Sequence, residues 1–479
     1  MNEEFPLLVP GATVTGDQLT VTAPWDQTLI AEVPVADAQV VEQAMANAQR
    51  LFKNRDLWLS AGKRIEVLEK AAAIMQERFE LLALEAAREG GKPLIDSRVE
   101  VARAIDGVKN CVECLRADSG REIPMGLNAA SEHRLAFTRK EPIGVVVAVS
   151  AFNHPLNLIV HQVAPAVATG CPVIVKPAED TPLSCFRFIQ ILHEAGLPAD
   201  YAQALVVQDL AVAEQLVTDT RVGFFSFIGS AKIGWMLRSK LAPGARCALE
   251  HGGAAPVIID QSADLDDTMP LIAKGGFYHA GQVCVSVQRV YAPRAIAADV
   301  AARLAKIGEQ LTIGDPTLES TEVGPLIRTR EVDRVAEWVD EAIAAGAECI
   351  SGGKRLSDSS YSATVLLDPP MDARVSELEI FGPVICVYSY DDVNEAIAQA
   401  NALPFAFQAS VLTGNLDFAL RCNRRLDAAA VIINDHTAFR VDWMPFAGLR
   451  QSGYGVGGIP YTIEDMQIEK LTVIRSAEL

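Results

Sequence analysis

Apolar residues recur at intervals of three and four positions through the first third of the chain. This spacing predicts amphipathic helices, because one face of a helix repeats every 3.6 residues. The helices are expected over residues 38–54, 61–88 and 95–115. The stretch 120–140 that follows is polar, contains Pro124 and has short alternating runs, so it predicts an excursion in β-strands.

Between residues 143 and 250 the pattern changes to short apolar runs that alternate with helical stretches. The apolar runs predict buried strands over 143–149, 172–175, 204–207, 224–228 and 247–250, and the stretches between them predict helices over 156–168, 183–194, 211–218 and 231–241. Strands joined by 10–15 helical residues form crossover connections, and crossover connections produce a parallel sheet. One doubly wound α/β sheet is therefore expected here.

A second alternation follows Pro256. It predicts helices over 265–278, 297–311, 331–345 and 392–400, and strands over 288–291 and 384–388. The fold class indicated by the whole pattern is α/β with two parallel-sheet regions. The most apolar stretch, residues 143–152, is too short to span a bilayer, so no membrane anchor is expected.

Length and charge narrow the function classes. A chain of 479 residues predicts two or three domains, and its net charge of −19 disfavours nucleic acid and anionic membranes as partners. Residues 1–5 are acidic and lack a signal-peptide pattern, and nine scattered cysteines are typical of a reduced chain, so a cytoplasmic location is expected. Cys111 and Cys114 lack a second pair at metal-site spacing, so packing is the preferred interpretation and no metal site is predicted.

Two segments at predicted strand ends are candidates for a nucleotide site. Gly229 and Ser230 follow an apolar strand and open a helix whose first turns contain Gly234, which is where backbone N–H groups can bind phosphate. Lys176 and Glu179 follow another strand, and their side chains can hold phosphate or ribose hydroxyls. An ordinary strand–turn–helix corner and a surface turn are the structural alternatives.

Three further residues have side chains suited to acyl chemistry. Cys284 follows a glycine-containing turn, and a cysteine is the best nucleophile at neutral pH. Glu250 ends a predicted strand before two glycines, where burial would favour a general base. Asn153 follows the most apolar strand and can donate a hydrogen bond to an oxyanion. A buried thiol, a structural salt bridge and a turn asparagine are the alternatives.

Taken in order, these segments resemble the aldehyde dehydrogenase superfamily. The resemblance covers nearly the whole chain and includes AFNHPL, VKPAED, FIGSAKIG, LEHGG, GQVC, EIFGP and the QSGYG near the end. It implies an NAD-binding domain from residues 1–119 and 139–249 and a catalytic domain from 250–446. It also implies an oligomerisation arm with the C-terminal tail from 120–138 and 447–479. Family members are homodimers or homotetramers.

Carried onto matching positions, the resemblance also implies the roles of single residues. Cys284 attacks the aldehyde, Asn153 and the Cys284 N–H stabilise the oxyanion, and Glu250 activates the water that hydrolyses a thioester. For the cofactor it implies adenosine ribose contacts from Lys176 and Glu179, pyrophosphate contacts from Gly229 and Ser230, and nicotinamide contacts from Glu379 and Phe381. Because a carboxylate repels a 2′-phosphate, Glu179 predicts NAD rather than NADP.

The chain also departs from the family pattern. Ile228 stands where threonine is common, Ala254 stands where a lysine is common, and residues 206–212 lack the glycines usually found near the nucleotide. These departures put the shape and strength of cofactor binding in doubt.

The resemblance is to a branch that acts on small polar or anionic aldehydes, such as lactaldehyde, glyceraldehyde 3-phosphate or phosphonoacetaldehyde. His154 and Arg440 are the candidates for binding the anionic group. Val283 stands where the phosphonoacetaldehyde enzymes have an arginine, which argues against a substrate dianion held by several cations. A helix-capping His154 and an Arg440 paired with Asp442 or with an arm residue are the structural alternatives.

Three other functions stay open at this point. An acylating dehydrogenase would pass the thioester to coenzyme A, but that branch usually lacks the glutamate base that Glu250 supplies. A thiol hydrolase would not need the cofactor residues. A catalytically silent structural member would have lost Cys284, Asn153 or Glu250.

Overall fold

The computed structural model describes residues 5–13 and 16–479, so residues 1–4 of the acidic start noted in the sequence lie outside the described residues. The first third contains β1 (Gln18–Thr22), β2 (Leu29–Pro34), α1 (Ala38–Lys53), α2 (Ala61–Glu77), α3 (Phe79–Gly90), α4 (Leu94–Ala117), β3 (Glu122–Ile123) and β4 (Arg134–Pro142). The next part contains β5 (Val145–Val149), α5 (Asn157–Thr169), β6 (Val173–Lys176), α6 (Leu183–Glu194), β7 (Ala202–Ala204), α7 (Leu210–Thr218), β8 (Val222–Ile228), α8 (Ala231–Arg238) and β9 (Arg246–Glu250).

The second half continues with β10 (Ala255–Ile259), α9 (Leu265–Phe277), β11 (Val287–Pro293), α10 (Arg294–Gln310), α11 (Thr329–Ala344), β12 (Glu348–Ser351), β13 (Thr364–Leu367), α12 (Arg374–Glu377) and β14 (Val384–Tyr390). The chain ends with α13 (Val393–Asn401), β15 (Phe405–Ala406), β16 (Gln408–Leu412), α14 (Leu416–Arg425), β17 (Ala430–Ile433), β18 (Leu449–Arg450), β19 (Gly453–Tyr454), α15 (Ile459–Asp465) and β20 (Gln467–Arg475). Short 3₁₀ turns cover Arg55–Leu57, Ala199–Tyr201 and Tyr278–Gly281.

The first large sheet has six strands in the order β19-β9-β8-β5-β6-β7, and all neighbours except β19 and β9 are parallel. Alternate residues of strand β5, which lies in the interior of the sheet, face opposite sides. Val146 and Ala148 pack with α2, α4, α5 and α6, whereas Val145 and Val147 pack with α1 and α7. Because both faces are covered by helices, the strands are apolar throughout, which is why their sequence is a continuous apolar run.

The second large sheet has seven strands in the order β12-β13-β14-β11-β10-β16-β17, parallel except for the pair β12 and β13. Its core is separate from that of the first sheet and includes residues of α9, α10, α11 and α13. Two parallel sheets, each between helices, confirm the predicted α/β class. The domain boundaries drawn at residues 119, 139, 249 and 446 stay a prediction.

A third, antiparallel sheet has the order β20-β4-β3. Strand β20 pairs with β4 over nine residues, from Gln467 opposite Pro142 to Arg475 opposite Arg134. The strand excursion predicted over 120–140 is therefore present, and the C-terminal tail completes it. Leu471, Val473 and Ile474 of β20 are about half exposed.

Several details differ from the sequence prediction. The strand predicted over 204–207 lies earlier in the chain, at Ala202–Ala204, where it pairs with β6. The helix predicted over 61–88 is two helices, because Arg78 has ψ near 19° and ends α2 before Phe79 begins α3. Strand β9 was expected to be buried but is largely half-exposed, because its outer neighbour β19 has only two residues. The strands β10, β13, β16 and β17 were not predicted, since four or five apolar residues do not distinguish a strand from a helix.

Within the described part of the chain, no helix is long and apolar enough to cross a membrane. Cys111 is fully buried in α4, as the packing interpretation expected, and Cys114 is partly exposed.

Candidate active site

One cavity of about 630 Å³ lies at the carboxyl ends of β5, β6, β8 and β9 and is closed by loops of the second large sheet. Eleven of the twelve residues singled out from the sequence line it, although they are spread over nearly 300 positions. These residues are Asn153, His154, Lys176, Glu179, Gly229, Ser230, Glu250, Cys284, Glu379, Phe381 and Arg440. The twelfth residue, Gly234, lies inside α8 and does not line the cavity.

The turn between β8 and α8 is held open toward the cavity. The Gly229 N–H donates to the Glu250 carbonyl at 3.1 Å, and His251 Nδ1 donates to the Gly229 carbonyl at 2.8 Å. The Ser230 side chain makes no capping hydrogen bond to α8, so the first N–H groups of this helix stay available for an anion. Gly234 makes room for His251, because a Cβ at Gly234 would lie 2.1 Å from His251 Cε1.

Lys176 and Glu179 form a pair at the end of β6. Lys176 Nζ lies 3.2 Å from Glu179 Oε1; the lysine side chain is mostly buried and the glutamate side chain is 39% exposed. The next residue, Asp180, accepts a hydrogen bond from Arg328 Nε at 2.7 Å. Arg328 immediately precedes α11 and also lines the cavity, but it was not predicted from the sequence.

Glu379 and Phe381 lie in the loop before β14. Glu379 Oε1 accepts a hydrogen bond from the Gly253 N–H at 3.2 Å, and burial raises the pKa of this carboxyl to about 8. A Cβ at Gly252 would lie 1.7 Å from Glu379 Oε1, so the glycine at 252 allows the glutamate to approach β9. Phe381 has φ of 47° and meets the ring of Phe152 edge to face at 5.9 Å.

Cys284 follows a strained turn. His279, Ala280 and Gly281 are all left-handed, with φ of 49°, 53° and 70°, and the first two lack the freedom of glycine. A Cβ at Gly281 would lie 2.0 Å from the Gly382 carbonyl oxygen, so the turn packs directly on the Phe381 loop. Gln282 then anchors the segment by donating to the Pro325 carbonyl and accepting from the Ile327 N–H.

Asn153 is oriented by the same segment. Its Nδ2 donates to the Gln282 carbonyl at 2.9 Å, and the side chain is almost fully buried. One amide N–H is therefore engaged by the backbone next to Cys284, and the second remains for a ligand in the cavity.

The charges around Cys284 set its protonation. Burial raises the pKa of the thiol, the Glu250 carboxylate raises it further, and the Arg440 guanidinium lowers it. Burial likewise raises the pKa of Glu250, and Arg440 again acts in the opposite direction. Glu250 Oε1 lies 3.6 Å from Arg440 Nη1 and accepts no hydrogen bond from any described residue. A carboxyl in this environment is suited to accepting a proton.

Arg440 itself is almost fully buried. Its guanidinium lies 3.6 Å from the centroid of the Phe446 ring, and its Nη2 is 3.4 Å from His161 Nδ1. The predicted alternative, an ion pair of Arg440 with Asp442, is wrong. Asp442 is held instead by Arg103, with Nη2 at 2.7 Å and Nε at 3.1 Å, and by His161 Nε2 at 2.6 Å.

His154 does not cap a helix, which was its structural alternative. The N–H groups of Leu156 and Asn157 at the start of α5 donate to Glu100 Oε1, both at 2.9 Å. His154 Nδ1 lies instead 2.6 Å from the ammonium of Lys92.

The sequence prediction therefore missed a group of charged residues contributed mainly by α4 and the turn before it. Asp96 and Arg103 line the cavity two helical turns apart, and Lys92 and Glu100 are buried. The signal that could have found them is the presence of charged residues on the otherwise apolar face of the helix predicted over 95–115, because buried charges need partners.

Known proteins are similar to this chain in sequence and in fold. A family model described as "Aldehyde dehydrogenase family" matches residues 12–471. A 3-sulfolactaldehyde dehydrogenase from Priestia aryabhattai is 37% identical over 98% of both chains. The structure of aldehyde dehydrogenase 21 from Physcomitrella patens with the product succinate has a TM-score of 0.93 and 34% identity, over 98% of both chains.

A second solved structure is a glyceraldehyde-3-phosphate dehydrogenase from Methanocaldococcus jannaschii complexed with NADP. It has a TM-score of 0.91 and 32% identity, over 97% of this chain and 100% of that one. These findings confirm the resemblance found from the motifs, including the branch.

Proposed function

The chain belongs to the aldehyde dehydrogenase family, and we propose that it oxidises a small anionic aldehyde to its carboxylate with NAD as the electron acceptor. The observation that carries the proposal is one cavity that contains a thiol, a carboxyl with a raised pKa, a buried amide and the buried guanidinium of Arg440. The first three groups suit acyl chemistry, and the last suits an anionic substrate.

The proposed reaction begins at Cys284. Its sulfur, once deprotonated, adds to the carbonyl carbon of the aldehyde, and the resulting oxyanion accepts hydrogen bonds from Asn153 Nδ2 and the Cys284 N–H. A nicotinamide held beside Glu379 and Phe381 would supply the hydride acceptor, so that loss of hydride from that carbon would leave a thioester on Cys284.

Glu250 completes the cycle. Burial raises its pKa and makes it a stronger base than an exposed carboxylate, so it takes a proton from the water that attacks the thioester carbon. The carbon–sulfur bond then breaks, the carboxylate leaves and the Cys284 thiol is restored.

The residues present fit a dinucleotide. The open N-terminus of α8 beside Gly229 and Ser230 suits a pyrophosphate, and Lys176 and Glu179 suit the hydroxyls of the adenosine ribose. Glu379 is buried beside the Gly253 N–H and would hold the nicotinamide ribose.

Glu179 also supports NAD over NADP. It is paired with Lys176, yet its carboxylate is 39% exposed toward the cavity, where a 2′-phosphate would be repelled. The neighbouring Arg328 does not offset this repulsion, because its guanidinium is engaged by Asp180.

Three observations support an anionic substrate. Arg440 and Arg103 both line the cavity, and Lys274 lies at the same end. Arg103 is already paired with Asp442. Arg440 is held less tightly, because its nearest carboxylate oxygen, Glu250 Oε1, is 3.6 Å from Nη1 and forms no hydrogen bond with it, so its guanidinium can bind a substrate anion. Two of the relatives described above are named for a sulfonated and a phosphorylated aldehyde, and the structure of aldehyde dehydrogenase 21 contains the dicarboxylate product succinate. With Val283 in place of a further arginine, the site favours a single anionic group.

An oligomer is part of the proposal. Strand β20 leaves one edge of the three-stranded sheet unpaired, and its half-exposed apolar side chains suit contact with a second copy. Light scattering should give a mass that is two or four times 51.5 kDa. A monomer at micromolar concentration would contradict this part alone.

The deciding experiment measures the initial rate of NADH formation with purified protein. Succinic semialdehyde, glyceraldehyde 3-phosphate and 3-sulfolactaldehyde should give a kcat/KM at least about tenfold above that of propionaldehyde, since one buried charge contact contributes this much. NADP should be the poorer acceptor.

The alternative functions predict other results. A rate that requires coenzyme A would identify an acylating enzyme. Ester hydrolysis without reduction of NAD would identify a thiol hydrolase, and no reaction with any aldehyde would identify a silent member.

A further inference from the structure

Lys92 is a fully buried lysine beside the cavity that the reaction above does not use. It lies in the turn between α3 and α4, and its side chain is inaccessible to solvent. Gly91 holds this turn in the left-handed conformation with φ of 74°, and a Cβ there would lie 2.9 Å from Pro325. The backbone therefore fixes where the ammonium of Lys92 can go.

Two side chains bind that ammonium. Glu100 Oε2 accepts a hydrogen bond at 2.5 Å, and His154 Nδ1 lies 2.6 Å from the nitrogen. Burial lowers the pKa of Lys92, and the charge and hydrogen bond of Glu100 oppose that shift and favour the ammonium form. An ammonium has only donors, so the atom that faces it must accept. His154 Nδ1 therefore has no proton, and the single proton of the neutral imidazole lies on Nε2.

The Nε2 atom of His154 is the free end of the ring. It has no hydrogen-bond partner among the described residues. It is also not fully buried, and the histidine lines the cavity. An N–H group at Nε2 can therefore donate a hydrogen bond to a ligand in the cavity.

We propose that Lys92 is a positioning residue that fixes the Nε2–H tautomer of His154, so that this imidazole donates a hydrogen bond to an oxygen of the bound substrate. The identity of that oxygen, on the anionic group or on a hydroxyl next to the aldehyde, rests on the proposed function. The tautomer itself does not depend on the substrate.

The surrounding charges keep His154 neutral. Burial lowers the pKa of His154 far below its usual value, and the ammonium of Lys92 lowers it further, as do His279, Arg103 and Arg440. Glu100 Oε2 lies 4.0 Å from Nδ1 and acts in the opposite direction, but it is neutralised by Lys92, and the nearby Tyr278 is uncharged because burial raises the pKa of its hydroxyl. His154 is therefore a donor without charge, in contrast to Arg440.

The first test needs no variant. Nitrogen NMR of the full protein labelled with ¹⁵N-histidine reports the tautomer of each ring, and His154→Gln identifies the signal of His154. The inference expects Nε2–H for His154 and no titration between about pH 6 and 9. A signal typical of Nδ1–H, or protonation within that range, overturns it.

The second test replaces Lys92 with methionine, which keeps an unbranched side chain that is one atom shorter and removes the donor. In K92M the His154 signal should move toward a mixture of tautomers and should begin to titrate. The kcat/KM for succinic semialdehyde should fall by about 10- to 100-fold, mainly through KM, since a hydrogen bond to the substrate is lost. For propionaldehyde the change should stay below about threefold.

Lys70→Met is the matched control, because Lys70 is exposed on α2 and pairs with Glu66 on the surface. An unchanged His154 signal in folded K92M overturns the inference. If K92M does not fold, the spectrum of the natural protein still decides. An enzyme that prefers neutral aldehydes would contradict the proposed function and leave the tautomer result standing.

Discussion

The two ends of the cavity are built in different ways. The end proposed for the cofactor is made of strand ends and the turns that follow them, with Lys176, Gly229 and Glu250 at the last residue of a strand or directly after it. The substrate end is lined by charged side chains from distant segments, such as Arg103 in α4 and Arg440 near the C-terminus. Arg103 contacts Asp442, and Arg440 contacts His161 of α5. Local sequence describes the first end, whereas long-range packing creates the second.

Electrostatics separates the two ends as well. Around the substrate end, buried charges are satisfied in pairs, Lys92 with Glu100 and Arg103 with Asp442. Arg440 is the exception, because Glu250 is its nearest carboxylate and the two atoms are 3.6 Å apart. The charges of Glu250, Arg440 and Glu379 all shift the pKa of Cys284, so the reacting thiol lies where the two ends meet.

The largest effect is expected where the two ends meet. Cys284→Ala removes the nucleophile, so NADH formation should fall by at least about four orders of magnitude with any aldehyde. Cys349→Ala, at the edge strand β12, is the matched control and should keep full activity. An active C284A protein would end the proposed mechanism, and both variants are compared by NADH absorbance.

The second effect concerns the base. Glu250→Gln should slow steady turnover by about 10²–10⁴-fold, because the thioester loses its proton acceptor. Rapid mixing should still show a burst of NADH stoichiometric with enzyme, since Cys284 and Asn153 are unchanged. Loss of the burst together with the steady rate would place Glu250 in thiol activation instead.

The third prediction tests the buried charge pairs of the substrate end. Burial alone would raise the pKa of Asp442, but the hydrogen bonds from His161 and Arg103 and the charge of Arg103 hold that pKa well below its usual value. Asp442→Asn leaves Arg103 without its carboxylate, so urea unfolding at pH 7 should show a loss of about 3 kcal/mol.

The sign of its pH dependence follows from the lowered pKa. The stabilisation is present above the unfolded pKa of about 3.9 and is lost as pH falls toward the folded value, so the difference between D442N and the natural protein should shrink in acid. Asp391→Asn, which breaks an exposed pair with Arg294, should leave the unfolding midpoint unchanged. Equal effects of the two substitutions would contradict the contrast between buried and exposed pairs.

The fourth prediction concerns Arg440. Arg440→Gln should lower kcat/KM for succinic semialdehyde by about 30- to 100-fold, because a charged hydrogen bond to the substrate is lost. The neutral propionaldehyde should lose much less. Since Arg440 lowers the pKa of Cys284, its removal raises that pKa, and the rise of kcat/KM with pH should move to higher pH. Equal losses for charged and neutral aldehydes would assign Arg440 a structural role.

The smallest effect is expected at the cofactor end. Glu179→Gln removes the charge that repels a 2′-phosphate, so the ratio of kcat/KM for NADP to that for NAD should rise by about tenfold. Glu194→Gln, on the exposed end of α6, serves as the control. An unchanged ratio would show that the turn after β8, and not Glu179, sets the preference.

The sequence determined the α/β class and predicted the reactive groups. Apolar runs of five residues between helical stretches leave few alternatives to a parallel sheet, and the motifs around Asn153, Glu250 and Cys284 are local, so neighbouring residues are enough to find them. It did not determine the break at Arg78 or the exposure of β9, because helix ends and sheet edges depend on the elements packed beside them.

Only the tertiary structure decided what the cavity presents to a substrate. The sequence predicted His154 as a possible helix cap and Arg440 as a possible partner of Asp442. In the structure Glu100 accepts the hydrogen bonds from the start of α5, and Arg103 binds Asp442. Polar and charged side chains from the α3–α4 region, α5 and the C-terminal loop come into contact only after both sheets are packed. The physical reason is that a buried charge must find a partner in space, and its nearest partners here are up to 339 positions away in the chain.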